Sequence, residues 1–288
     1  MKSRLKRTIL GLCILLILAV FSVEIAARFL GLADVPIREA NPVTGYIPVA
    51  SQSGSFLGNT WHINEMQMIS RKEFTSNGDE ILILGDSIVF GGNPLDQSER
   101  VGEQLDGRFD SRNVYAIADG SWTFKNSVNY LASRKDDLQQ LQDIVFVLNS
   151  FDFDGPPSSW RCMSFHPTAA PLSASYFVFR KQFFPQCLVE SPSELTVPDF
   201  DVDARLNGLL EEFKDTRFSI LLYQNESEWQ SRTSLRDLIG GGLSSKIALF
   251  ELTDFPEMWN EDFYSDSIHP NAEGAAALAG ILERILSR

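Results

Sequence analysis

Five apolar runs rich in β-branched residues, at positions 80–84, 113–118, 143–149, 217–223 and 246–252, alternate with segments of helical spacing. A strand buried on one face alternates apolar with polar side chains. These runs are nearly continuous, as in a parallel sheet covered on both faces. Between the first two runs, residues 96–109 repeat apolar side chains at Val101, Leu105 and Phe109, with Ser98 as the expected N-cap. Residues 123–133 and 136–141 read as the next helices. Residues 201–215 place Leu206, Leu209, Leu210 and Phe213 on one face, and a weaker helix over 231–239 stops at Gly240-Gly241-Gly242. Residues 271–286 close the chain, with Pro270 suited to the first helical position. This β-α-β-α order predicts an α/β fold, a three-layer αβα sandwich around a flavodoxin-like five-stranded parallel sheet. Residues 33–79, punctuated by Pro36, Pro42 and Pro48, read as an irregular approach with a short edge strand at 61–64. The interval 151–200 is too long for an ordinary connection. Its aromatic content (Tyr176, Phe177, Phe179, Phe183, Phe184) marks an insertion over the sheet's C-terminal edge, either a substrate lid or a packing elaboration.

The N-terminus answers to a different solvent. Lys2, Arg4, Lys6 and Arg7 precede an uncharged run from Thr8 to Val23, and Glu24 and Arg28 then stand four apart on one helical face. A membrane span needs about 17–25 residues. Continuing past Glu24 to Leu30 supplies them, so residues 1–32 are expected to be a transmembrane anchor, touching lipid through residues 8–30, ahead of a domain at 33–288. A cleaved signal peptide is the alternative, but the stretch lacks an A-x-A site, and the residue before Cys13 is too large for a lipoprotein signal. The positive-inside rule keeps the basic end in the cytoplasm and exports the rest, as into a bacterial periplasm. There, Cys162 and Cys187 are expected to form a disulfide closing a loop of about 25 residues, worth about 3 kcal/mol, with two separate thiols as the alternative. The net charge of −13 argues against a nucleic-acid partner. No Cys/His spacing suggests a metal, and the Gly85/Gly91/Gly92 spacing is neither a dinucleotide fingerprint nor a P-loop, so no cofactor is expected.

Ligands of open parallel sheets bind beyond the carboxyl ends of the strands. After the first run stands Gly85-Asp86-Ser87, after the second Asp119-Gly120-Ser121, at the end of the third Asn149, and before the last helix Asp266-Ser267-Ile268-His269. Each alone has a dull explanation as a turn or surface residue. Together they supply a nucleophile (Ser87), a base (His269) with a carboxylate three residues away (Asp266), and backbone and side-chain amide donors (Ser87, Gly120, Asn149). That is the set acyl transfer requires. Asp86 is read as shaping the turn. His62 and His166 are weaker bases because neither has a carboxylate at i−3, and Asp152 and Asp154 read as a solvated loop in preference to a cation site.

These four blocks resemble those of the SGNH (GDSL-type) hydrolase superfamily, in order and spacing. Gly85-Asp86-Ser87 with Phe90-Gly91 looks like the first block, Gly120 the second, Asn149 the third and Asp266-x-x-His269 the last. Together with the N-terminal segment and Ile63-Asn64-Glu65-Met66, they resemble a membrane-anchored extracytoplasmic branch. The third block departs from the usual Gly-x-Asn-Asp, reading Val147-Leu148-Asn149-Ser150. The resemblance implies a Ser87–His269–Asp266 triad with an oxyanion hole of Ser87, Gly120 and Asn149. It implies an esterase acting on an acyl ester, such as an acetyl group on an envelope glycan. Two other readings share the scaffold: an O-acyltransferase served by an integral-membrane acyl-donor protein, and a non-catalytic envelope assembly protein.

Overall fold

The computed structural model describes residues 2–160, 167–184, 195–239 and 245–288. Cys162, Cys187, His166 and Gly240 to Gly242 lie outside them, and so does the expected disulfide. Helix α1 (Lys2–Phe29) carries the N-terminal apolar run, long and apolar enough from Arg4 to Phe29 to cross a membrane, with its large apolar side chains exposed.

The approach is more ordered than its prolines suggest. Strands β1 (Arg38–Asn41) and β2 (Gly45–Pro48) form one antiparallel hairpin, and β3 (Gln52–Phe56) and β4 (Asn59–Ile63) a second. The expected edge strand at 61–64 therefore exists but pairs within its own hairpin. The other three strands were illegible because they are only four or five residues long, β1 and β3 being mostly polar and β2 holding Gly45 and Pro48.

The five apolar runs become β5 (Ile81–Gly85), β6 (Val114–Ala118), β7 (Asp143–Leu148), β8 (Arg217–Leu222) and β9 (Ile247–Glu251). They form one parallel sheet in the order β6-β5-β7-β8-β9. Numbered within the sheet this is 2-1-3-4-5, the flavodoxin-like order expected. Successive side chains of a strand point to opposite faces, and here both faces are dry. Ile81, Ile83, Val145, Val147 and Leu221 pack on one side, and Leu82, Leu84, Ile144, Phe146 and Ile220 on the other. That is why the runs lack polar alternation.

The first face is covered by α2 (Ser87–Phe90), α3 (Val101–Asp106) and, last in the chain, α9 (Ala272–Leu286). The second is covered by α4 (Phe124–Ser133), α5 (Lys135–Leu138) and α7 (Val202–Glu212). Several boundaries differ from the sequence reading for local reasons. Asp96, and not Ser98, caps the segment before α3: its carboxylate accepts from Ser98 N–H in a capping box with Glu99, over a short 3₁₀ turn at Gln97–Glu99. The helix expected at 231–239 forms earlier, as α8 (Glu226–Ser231), because Asn225 and Glu228 supply a capping box there; only a 3₁₀ turn (Arg236–Leu238) follows. Asn271 caps α9, its side chain accepting from Gly274 N–H at 2.8 Å, so Ala272 and not Pro270 takes the first helical position. Within 151–200, the described residues contain α6 (Ala174–Phe183), which packs against α1.

Candidate active site

Strand β5 lies between β6 and β7, so the chain leaves it in one direction and later returns across it. The crevice at this switch point is the expected ligand position, and Ser87 and Asn149 follow the two strands that flank it. Gly85 lets β5 end close to its neighbours: a Cβ there would lie 2.5 Å from Val89 Cγ2 and 3.0 Å from Val147 O. Asp86 then caps the single turn of α2, accepting from Ile88 N–H at 2.9 Å. Gly91, at φ +76°, ends that turn in a left-handed conformation that a side chain disfavours. The serine is thus held at the mouth of a turn closed at both ends.

On the opposite rim, the chain between β9 and α9 makes a tight turn. Ser265 N–H donates to His269 O at 2.8 Å, and Tyr264 bridges Pro270. One oxygen of Asp266 accepts from the N–H groups of Ile268 (2.9 Å) and His269 (2.8 Å), while the other lies 2.8 Å from His269 Nδ1. The far ring nitrogen, Nε2, lies 2.9 Å from Ser87 Oγ. Residues 182 apart in sequence are thereby joined in one hydrogen-bonded chain, Ser87–His269–Asp266. The His269 and Asp266 side chains remain 40% and 56% exposed, so the site opens to solvent on this side. Burial pushes the Asp266 carboxyl upward, but the two N–H donors and the imidazole outweigh it and hold the carboxyl below its ordinary value.

The amide donors are placed less simply. Asn149 caps a 3₁₀ turn (Ser150–Phe153), and its side-chain amide donates to Asp86 Oδ2 (3.0 Å) and Asp152 Oδ2 (3.1 Å). Ser87 Oγ touches the same Asp86 oxygen at 3.4 Å. Asn149 is therefore next to the serine, with both its protons committed to carboxylates. Gly120 N–H donates to Asp119 Oδ1 at 2.7 Å. The following residue, Ser121, sits at φ +62°, and its N–H has no partner among the described residues. Serine rarely adopts this conformation, and a sequence alone does not reveal it. Ser87 N–H is likewise open among the described residues.

Two features of the site lay outside the sequence reading. Asp152 is buried, so it does not belong to a solvated loop. It accepts Asn149 N–H at 2.8 Å as part of a capping box, and the Asp-at-N3 spacing was the available signal. Burial, and then the nearby Asp86 charge, push its carboxyl well above the ordinary value; Asp86, also buried, is raised as well. Second, Arg38 of β1 reaches across to Asp119, with Nε 2.8 and 2.7 Å from its two oxygens, both side chains being buried. Tyr46 of β2 donates to Gly120 O. The first hairpin thus fixes the loop after β6. The described residues contain no cluster of three or more metal-ligating side chains, and His62 lies on β4, within the second hairpin.

No protein-family model and no curated protein sequence matches the chain. Among solved structures it is similar to a lipolytic G-D-S-L family protein from Veillonella parvula, at 12% identity over 73% of this chain and 98% of that one, TM-score 0.41. It is also similar to a carbohydrate esterase family 3 protein from Talaromyces cellulolyticus (10% identity, 72% and 96%, TM-score 0.34). A third similar structure is the periplasmic domain of a lipopolysaccharide acetyltransferase from Salmonella ser. Paratyphi A (12% identity, 74% and 85%, TM-score 0.35). Likeness this distant leaves the chemistry to the atoms of the site.

Proposed function

We propose that this chain is a membrane-anchored, extracytoplasmic serine esterase of SGNH type that cleaves an acyl ester, of the size of acetyl, from an envelope glycan. The observation that carries the reading is the Ser87–His269–Asp266 hydrogen-bond chain at the switch point of the sheet. In this reading His269 Nε2 takes the hydroxyl proton as Ser87 Oγ bonds to the ester carbonyl, and Asp266 holds the Nδ1 proton and stabilises the imidazolium. The carbonyl electrons move to the oxygen, where the N–H of Ser87 itself, open among the described residues, is available. Asn149 joins it if its amide leaves one of its carboxylates. The tetrahedral adduct collapses, the alcohol leaves with the proton from Nε2, and water repeats the sequence on the acyl-serine. The exposure of His269 and Asp266 suits an acyl group carried on a bulky alcohol.

The test uses the full-length protein in detergent. Wild type is expected to be labelled by a fluorophosphonate probe and to prefer p-nitrophenyl acetate over the palmitate, and Ser87→Ala to lose both reactions by at least about 10³-fold. Equal labelling of wild type and Ser87→Ala would end the catalytic reading. Faster turnover on adding oligosaccharide, with acetylated sugar as product, would replace hydrolysis by acyl transfer and call for a membrane acyl donor.

A further inference from the structure

Glu24 is an acidic residue in the wrong solvent. If the hydrocarbon begins at Thr8, a core about 30 Å thick ends about 20 residues further along the helix, near Arg28. Glu24 then lies about one helical turn inside the exit boundary, where a bare carboxylate is costly. It is not bare. Glu24 accepts from Ala174 N–H (2.9 Å), Ser175 N–H (3.0 Å), Ser173 Oγ (2.8 Å) and Ser175 Oγ (2.7 Å), and pairs with Arg28 at 2.7 Å. Arg28 also donates to Leu172 O. The first turn of α6 is therefore fixed at the depth of Glu24.

The open side of α6, with the residues flanking it, is unlike the surface of a water-soluble domain. Leu172 is 97% exposed, and Tyr176, Phe179, Phe183 and Phe184 are each at least half exposed. Phe179 packs on Phe183 and Phe184, with ring centroids 4.9 and 6.0 Å apart, forming one aromatic patch. Aromatic side chains concentrate where headgroups meet hydrocarbon. Ala174 and Phe177 are buried against the protein.

We infer that α6 is an interfacial helix, docked by Glu24 to the end of the anchor, and that its aromatic patch lies in the headgroup layer of the lipid bilayer. The inference rests on the anchor reading of α1. Its consequence is that the domain is held against the membrane on the side that bears α6, and does not swing free on the anchor.

The experiment places a photoreactive benzoyl-phenylalanine at one position at a time in the full chain: Leu10 in α1, Phe183 in α6, and Leu238, which is exposed on the 3₁₀ turn after α8. Each protein is reconstituted in phosphatidylethanolamine/phosphatidylglycerol vesicles, irradiated, and scored for lipid adducts by mass spectrometry. Adducts at Leu10 and Phe183, with at least tenfold fewer at Leu238, are expected. Labelling at Leu10 without Phe183 would overturn the interfacial helix and leave the anchor standing. No labelling at Leu10 would overturn the anchor and the surface built on it. Comparable adducts at all three positions, or a Phe183 crosslink to a second copy of the chain in place of lipid, would also overturn it.

Discussion

Asp152 and Asp86 meet on one amide, each accepting from Asn149 Nδ2, in a place where neither carboxylate is well solvated. Two like charges so near one another and out of water oppose ionisation, and both carboxyls are raised. In the unfolded chain Asp152 releases its proton near the ordinary value of 3.8; in the folded chain it does so at higher pH. Between the two the folded state binds more protons, so the stability this group contributes is fully present below about pH 4 and falls as pH rises through the folded value. Asp152→Asn keeps an oxygen for the Asn149 donors and removes that fall. Melting temperatures of both proteins from pH 3.5 to 7.5 should therefore diverge in favour of the variant as pH rises. A constant offset across the range would mean that Asp152 is ionised throughout.

At the scale of the element, the site depends on where turns stop and helices start. His269 stands two residues before Asn271, whose side chain caps α9 through Gly274 N–H and also donates to Asp262 O at 2.7 Å. Asn271→Ala removes both. It is expected to cost about 0.5–2 kcal/mol in chemical denaturation, the usual range for an N-cap. It should also slow fluorophosphonate labelling, since the turn bearing His269 loses its tie to the helix. Unchanged stability would show that the bridge between Tyr264 and Pro270 holds this turn unaided. The periodicity of α4, α7 and α9 was readable from apolar spacing, because each lays one face on the sheet. The 3₁₀ turn at Gln97–Glu99 and the early start of α8 were not, because side-chain capping of a few N–H groups decided them.

For the whole molecule, the buried Arg38–Asp119 pair ties the N-terminal hairpin to the sheet across 81 residues of sequence. Arg38→Ala strands the Asp119 carboxylate in a site with no access to water. Breaking a buried pair from one side typically costs about 3–5 kcal/mol, and the midpoint of chemical denaturation should fall accordingly. A loss below about 1 kcal/mol would show that water or Tyr46 takes over the role of Arg38. Arg38 and Arg100 also stack on the Phe90 ring at 5.2 and 5.3 Å, so the same contact reaches α2 and the serine it carries. Arg38 thus brings the hairpin against both the loop after β6 and α2, from which it lies about 50–80 residues away along the chain.

The sequence by itself determined the sheet and its two dry faces, because burial on both sides leaves no alternative to continuous apolar strands. It also marked Ser87, His269 and Asp266 as candidates, since their residue types at strand ends and the i−3 spacing of the acid are local facts. The contacts of the amide donors were decided only in three dimensions. Gly120 N–H turns to its neighbour Asp119, which Arg38 holds from 81 residues away, and Asn149 adds to the local Asp152 a second acceptor, Asp86, from the end of another strand; both arrangements depend on packing. The contact of Glu24 with α6 is of the same kind. A charge at the end of an apolar helix announces itself in the sequence, whereas the four donors that satisfy it lie about 150 residues away and are brought there by the fold.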